Sequence, residues 1–514
     1  MADPGTVGII LLYCFVLIII GVMASRKINN TADYIVAGRS LGFWVFTILM
    51  VASICSGMTL VGVSGYGYTS GWPGIWEQIA VPLAAAFCIT IFGVKLHRIG
   101  RENGYMTLED YFAHRFESTR ELRGLSALAG ITVSLIYLVG QYTAISIVLI
   151  WLFGIEHWQA LIISGIIITA YTVIGGLYAV SWTTLLQGGL LIAGVIAIAP
   201  LLILKAGGLT HINHVLAGID PNLVEPWFPS PVYAPYAFAT PEFLLSFGLL
   251  MMVGLACAPH VINNVLAARE TRYFRWTPLI AFLIYLIVML LVKFAGFAVR
   301  VLVEEGTLIL PDVINAQDFA FMYGVEFAAP NAFVWGLFAV IVLAAVMSTT
   351  DRLMLTIGTM FSWDIYKNIL HPDASDTKIL LVSRVSVFIA AGISLILAIN
   401  PPQMLAFLIW MGIGVMLSTF AVPILAGLYW RGATTKGALA AMCVGLIGSG
   451  IFGYYHQYVA ELPVHFSLYA VSFALLAMIV VSLMTEKNSP EVLDATMTGW
   501  YIFRKKEWSG IEFM

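Results

Sequence analysis

The sequence predicts an all-α polytopic membrane protein, and three observations predict it. Hydrophobic residues make up 60% of the chain and charged residues only 10%, where a soluble domain carries about 25% charge; mean hydropathy is +0.93. Apolar windows of roughly 20 residues, the length a helix needs to cross hydrocarbon, recur thirteen times. Lysines and arginines collect in alternate connections between those windows.

In order, the predicted spans are 7–24, 43–68, 76–96, 125–153, 158–174, 178–204, 241–266, 277–302, 333–365, 379–399, 403–429, 438–454 and 466–483, each end good to a few residues. The first has no basic segment before it, and Arg26 and Lys27 follow it. It therefore reads as a retained span with its N-terminus outside, not as a signal peptide. That choice puts Arg26, Lys27, Arg39, Lys95, Arg98, Arg101, Arg269, Arg272, Arg275, Arg431 and Lys436 on one side, which the positive-inside rule makes cytoplasmic. Lys205 and Arg300 fall opposite, and Lys293 and Arg352 fall within spans. An odd number of spans leaves the C-terminus inside, and the plasma membrane is the expected location.

Between the third and fourth spans, Thr107 and Asp110 form a helix-start signal, so a short interfacial helix is expected there. Two outer connections are long. Residues 206–240 hold Pro221, Pro226, Pro229, Pro231 and Pro235, and 304–331 are acidic with a partly helical pattern. Lids over a vestibule and passive covers of helix ends are equally open readings. The tail from residue 486 is polar, with Arg504-Lys505-Lys506 near aromatics; a surface segment and a loose end both fit. The five cysteines are scattered singly through apolar segments, a pattern of packing residues and not of disulfides or metal clusters.

Two spans carry polar residues that lipid would not tolerate. One reads Val51-Ala52-Ser53-Ile54-Cys55-Ser56-Gly57-Met58-Thr59, the other Leu343-Ala344-Ala345-Val346-Met347-Ser348-Thr349-Thr350-Asp351-Arg352. Each bare polar group in hydrocarbon costs several kcal/mol, so both must line a protein interior. Ala345, Ser348 and Thr349 are spaced i, i+3, i+4 and share a helix face, whose oxygens suit a hard cation. The simpler alternative is that both hydroxyls bond back to carbonyls one turn earlier. A further interruption, Gly254 to His260, contains Pro259, which removes a backbone donor. Five-helix units begin near Phe43 and near Pro241, each with a break in its first helix. That is the pattern of an inverted repeat around a midplane site. Freed carbonyls there bind a cation, and half-helix N-termini favour a carboxylate. The divisions expected are an extra helix and linker at 1–42, a first repeat at 43–204, an outer loop at 205–240, a second repeat at 241–429, two C-terminal helices at 430–484 and a tail at 485–514.

These residues resemble the sodium:solute symporter family over nearly the whole chain. Tyr171-Thr172-Val173-Ile174-Gly175-Gly176-Leu177-Tyr178-Ala179-Val180-Ser181-Trp182 is similar to the family signature, and Ala345 to Asp351 to its ion-site helix. Ala258-Pro259-His260 resembles its Gln-Pro-His at the seventh span, and Asp364-Ile365-Tyr366-Lys367 the usual end of the ninth. The resemblance implies thirteen helices in the leucine-transporter-type fold with 5+5 inverted repeats, alternating access, and sodium as coupling ion without any cofactor. Matched by position, it implies one sodium site made of the carbonyls of Ala52, Cys55 and Ala345 and the hydroxyls of Ser348 and Thr349. It places Ser56, Thr59 and Gln78 where some members hold a substrate carboxylate.

The chain departs from the family at three places. Thr184 and Ile54 stand where some members have aspartates, so at most one sodium is expected and proline specificity does not transfer. Arg352 adds a cation one turn from Ser348. It is either a structural partner of Asp351 or a charge that weakens sodium coupling or replaces it by protons. Further polar groups facing a midplane cavity are Gln141 and His260. Glu77 and Lys293 form a possible pair, though both sit near outer helix ends, where snorkelling accounts for them. Trp410 reads as a gate or as packing.

The expected function is therefore uptake of a small organic solute, a monocarboxylate or amino acid, coupled to one sodium ion. The expected partners are that solute, sodium and the bilayer, with no nucleic acid, and the oligomeric state is open. A proton-coupled or weakly coupled transporter and a transporter-like sensor are the alternatives. An enzyme would need clustered catalytic groups, and the ionisable residues within the spans are dispersed.

Overall fold

The computed structural model describes residues 4–228, 240–313, 315–399, 405–460 and 462–497. Pro229, Pro231, Pro235, the predicted span start at Gln403, and Arg504-Lys505-Lys506 lie outside the described residues. In chain order the helices are α1 (Pro4–Ser25), α2 (Thr31–Val36), α3 (Phe43–Ala52), α4 (Val63–Ser70), α5 (Trp72–Asn103), α6 (Leu108–Arg115), α7 (Glu121–Phe153), α8 (His157–Lys205), α9 (Gly208–Ile219) and α10 (Pro241–Gly254). They continue with α11 (Pro259–Ala267), α12 (Thr277–Glu304), α13 (Ala320–Ala328), α14 (Ala332–Leu370), α15 (Asp376–Leu397), α16 (Leu405–Tyr429), α17 (Thr435–Tyr458), α18 (Phe466–Met484) and α19 (Pro490–Met497).

Among the described residues, 10 helices are long and apolar enough to cross a membrane, or 11 when α10 and α11, bent by 46° at their break, count as one. Two shorter apolar helices, α3 and His157–Thr169, fall where the sequence predicts its second and fifth spans. The expected thirteen and the observed count differ because breaks cut helices short. A helix the length of α3 rises only about 15 Å, half a bilayer.

Each break has a local cause. At the end of α3, Ser53 donates its hydroxyl back to the Leu49 carbonyl at 2.6 Å, competing with the helix ladder. The chain then leaves the helix and resumes in widened turns at Met58–Gly62. Gly57 is required here, since a Cβ would sit 2.3 Å from that of Ala144 on α7. Pro259 opens α11 at its first turn, where a missing N–H costs nothing. Within α8, Gly176 adopts φ +54°, and a Cβ would meet the Tyr34 ring at 2.4 Å. Thr107 and Asp110 form the expected capping box, and α6 follows it.

The core brings these breaks together. α14 packs against α7 and α8, and α12 against α4 and α5. Buried Arg115 ties α6 to the end of α16. Its guanidinium donates to the carbonyls of Gly427 at 2.9 Å and Trp430 at 3.1 Å. A cation there matches the negative end of the helix dipole.

Candidate ion and solute site

The α3 break and the middle of α14 meet through their oxygens. Thr349 Oγ1 donates to the Cys55 carbonyl at 2.6 Å and lies 3.2 Å from that of Ala52. Ser348 Oγ donates to the Ala345 carbonyl at 2.8 Å, with the Ala52 carbonyl at 3.4 Å. All five oxygens expected from the sequence are therefore in one place. Back-bonding explains only part of this. Thr350 follows it, donating to Val346 one turn earlier at 2.8 Å. Ser348 follows it halfway, and Thr349 leaves its own helix altogether.

Three of the five expected solute residues gather on the other side of the same break. Ser56 N donates to Thr59 Oγ1 at 3.0 Å, and Gly57 N donates to Gln141 Oε1 at 2.9 Å. The Gln141 Nε2 is buried with no hydrogen-bond partner among the described residues, which leaves a donor for a solute. The sequence reading missed Tyr285. Its hydroxyl sits 2.8 Å from Thr59 Oγ1 and donates to the Ile54 carbonyl at 3.2 Å. The available signal was a single hydroxyl in the apolar run of α12. Ile54 thus takes part through its backbone, where an aspartate side chain was noted as absent.

Gln78 stands apart from that group. Its amide, turned so that the nitrogen donates, reaches the carbonyls of Gly74 at 2.9 Å and Ile75 at 3.0 Å. Glu77 accepts from Lys293 Nζ at 3.2 Å, and Lys293 lies 4.2 Å from the centre of the Tyr66 ring. Both charged side chains are fully buried. They form an internal ion pair, not the snorkelled ends expected from their positions. Trp410 is buried against Tyr66 and Phe247, with ring centres at 5.2 and 4.7 Å.

His260 packs its ring 5.5 Å from that of Tyr137 on α7. It shares a small cavity with Arg352. Asp351, expected as a partner of Arg352, is the charge that acts on it, and it also accepts from Thr172 of α8 at 2.7 Å. Thr184 is buried on α8, and its hydroxyl has no partner among the described residues.

One further charged cluster joins α6, α7 and α14 at the end of the bundle that carries Arg98 and Arg101. Arg123 pairs with Asp110 at 2.8 Å and Asp364 at 3.5 Å. Thr107 Oγ1 donates to Asp364 at 2.9 Å, and Trp363 Nε1 to Asp110 at 3.1 Å. Glu109 is buried beside them. Burial, and after it the Asp110 charge, pushes its carboxyl up to about 7.

Interrupted helices around an oxygen-lined midplane, inside an apolar bundle, define an ion-coupled secondary transporter. The sequence from 34 to 445 matches the model of the sodium:solute symporter family, and the chain belongs to that family. A sodium/proline symporter of Haemophilus influenzae is 28% identical over 508 residues, covering 96% of this chain and 97% of its own. A sodium/pantothenate symporter of Escherichia coli is 28% identical over 440 residues, covering 84% and 87%. Among solved structures, a substrate-bound, outward-open Na+-coupled sialic acid symporter superposes with a TM-score of 0.76 at 17% identity, over 95% of this chain and 99% of that one. The fold is the leucine-transporter type that the sequence predicts. Members of the family are transporters and not enzymes, with Na+ as coupling ion and small organic solutes as cargo.

Proposed function

We propose that the Ala52, Cys55 and Ala345 carbonyls, with Ser348 Oγ and Thr349 Oγ1, hold one sodium ion, and that its gradient drives import of a small organic carboxylate. The observation that carries this is the 2.6 Å approach of Thr349 to Cys55 across the break. Without an ion the hydroxyls donate to the carbonyls. Sodium entering between them turns all five oxygens into ligands and clamps the α3 break to α14. The solute then binds against Ser56, Thr59 and the free Nε2 of Gln141, whose oxygen already holds the backbone at Gly57. His260 and Gln78 are second-rank candidates, placed to either side. Curated relatives that carry proline and pantothenate support a carboxylate-bearing solute. The plasma membrane, with the N-terminus outside and the C-terminus inside, completes the reading, because the basic residues then face the cytoplasm.

The test is uptake of a panel of monocarboxylates and amino acids into proteoliposomes under separate sodium and proton gradients. Accumulation of one solute under the sodium gradient is expected. Accumulation under the proton gradient alone would replace sodium as the driver.

A further inference from the structure

The broken helices of the two repeats meet at one buried amide. Asn264 of α11, 1% exposed, donates through Nδ2 to Ser53 Oγ at 2.9 Å and to the His260 carbonyl at 3.1 Å. Both amide hydrogens are thereby used. The Ser53 hydroxyl gives its own hydrogen to the Leu49 carbonyl at 2.6 Å, so it meets Asn264 as an acceptor and the direction of the relay is fixed. His260 lies four residues before Asn264, on the same face of α11, and it also interacts with the Ser53 backbone. Two residues of α11 therefore converge on the residue that ends α3.

Ser53 follows Ala52 directly. In a continued helix the Ala52 carbonyl would accept from the Ser56 N–H, which goes instead to Thr59 Oγ1 at 3.0 Å. The Ala52 carbonyl and the Ser53 N–H belong to one peptide plane, so whatever fixes Ser53 aims that carbonyl. Leu49 holds the Ser53 N–H at 2.9 Å, and Asn264 holds the side chain. The two broken helices are joined separately further in. Leu41 N donates to the Ala267 carbonyl at 3.2 Å, and Arg269 N to the Leu41 carbonyl at 2.9 Å. Loss of Asn264 thus leaves α3 and α11 attached.

We propose that Asn264 is a positioning residue for ion coupling: through Ser53 it aims the Ala52 carbonyl at the cation, so that movement of α11 loosens the cage. The proposal rests on the sodium reading above. Asn264 acts through Ser53 and is not itself a ligand.

The test titrates the purified full-length protein with sodium chloride, choline chloride keeping the ionic strength constant, and reads intrinsic fluorescence. Asn264→Leu, close in size and without donors, is expected to weaken sodium binding about fivefold, the scale of one lost hydrogen bond. Ser53→Ala removes the same bond from its other end and is expected to weaken sodium binding equally. The double variant is expected to be no weaker than either single one, because both act on one bond. Asn264→Gln keeps the amide and is expected to recover most of the affinity. Melting midpoints in choline chloride alone read the purely structural cost. A lowered midpoint with unchanged sodium affinity in Asn264→Leu overturns the proposal, and so do additive losses in the double variant. Should Asn264→Leu not fold, Ser53→Ala decides, and an unchanged affinity there overturns the proposal. Ser348→Ala with Thr349→Ala judges the cage separately. A sodium response lost there but intact in Asn264→Leu defeats the positioning role alone. A response that survives there defeats the cage and the role that rests on it.

Discussion

Thr349 donates its hydroxyl across the bundle to the Cys55 carbonyl at 2.6 Å, while Thr350 beside it donates to its own helix at 2.8 Å. The pair is an internal control. Hydrogen bonds to charged groups contribute about 1.5–3 kcal/mol, and removing a sodium ligand of that strength corresponds to roughly 10- to 100-fold in affinity. Thr349→Val is expected to weaken sodium binding by that amount, Thr349→Ser to retain it, and Thr350→Val to change little. Sodium titration of intrinsic fluorescence measures all three. An equal loss in both valine variants would mean that the hydroxyls serve packing alone.

Tyr285 pins the far side of the same break. Tyr285→Phe leaves the Ile54 carbonyl without that donor and removes one partner of Thr59. An unsatisfied buried polar group costs about 1–3 kcal/mol, so the melting midpoint is expected to fall by a few degrees. Because Ile54 adjoins Cys55, the sodium-induced rise in midpoint is expected to shrink as well. A variant with a lowered midpoint but a full sodium response separates the tyrosine from the ion site.

The meeting of the α3 break with the middle of α14 was legible in the sequence and the rest of the polar interior was not, for a physical reason. Ser348 and Thr349 interrupt an apolar run at helical spacing, and the Gly57 and Pro259 breaks are written in residue types whose backbone limits are local. The burial of Glu77 and Lys293, by contrast, depends on α5 and α12 meeting across 216 positions. The Arg123 cluster joins residues up to 257 apart. The spans group Gln78 with Ser56, but its amide is held by the Gly74 and Ile75 carbonyls a turn earlier. Adjacency makes Asp351 a partner of Arg352, but its second link, to Thr172 of α8, has no local signal.

Lys293 and Glu77 make a buried pair whose halves behave differently from the whole. Removing one partner strands the other charge, at about 3–5 kcal/mol, whereas replacing both by apolar groups is often neutral. Lys293→Met is therefore expected to lower the yield of folded protein strongly. Adding Glu77→Leu is expected to restore most of it. If the double variant is no better than the single, Lys293 is held by the Tyr66 ring and not by Glu77.

Glu109 gives the contact between α6, α7 and α14 a pH dependence of defined sign. Its carboxyl is pushed from an ordinary 4.5 up to about 7 by burial first and then by Asp110. Asp364 and Arg123 are the other charges around it. A raised carboxyl means that the closed cluster holds more protons than an opened, hydrated one. Stability therefore falls as pH rises from about 4.5 through 7 and levels off above. The closed contact is expected to be firmest at pH 5 and to loosen towards pH 8, which favours opening of this end. Glu109→Gln mimics the protonated form and is expected to flatten that slope while keeping the pH 5 stability. Cysteine-accessibility labelling at Trp363, compared between pH 5 and pH 8, reads the opening directly. An unchanged slope in Glu109→Gln would remove Glu109 as the source of the pH dependence.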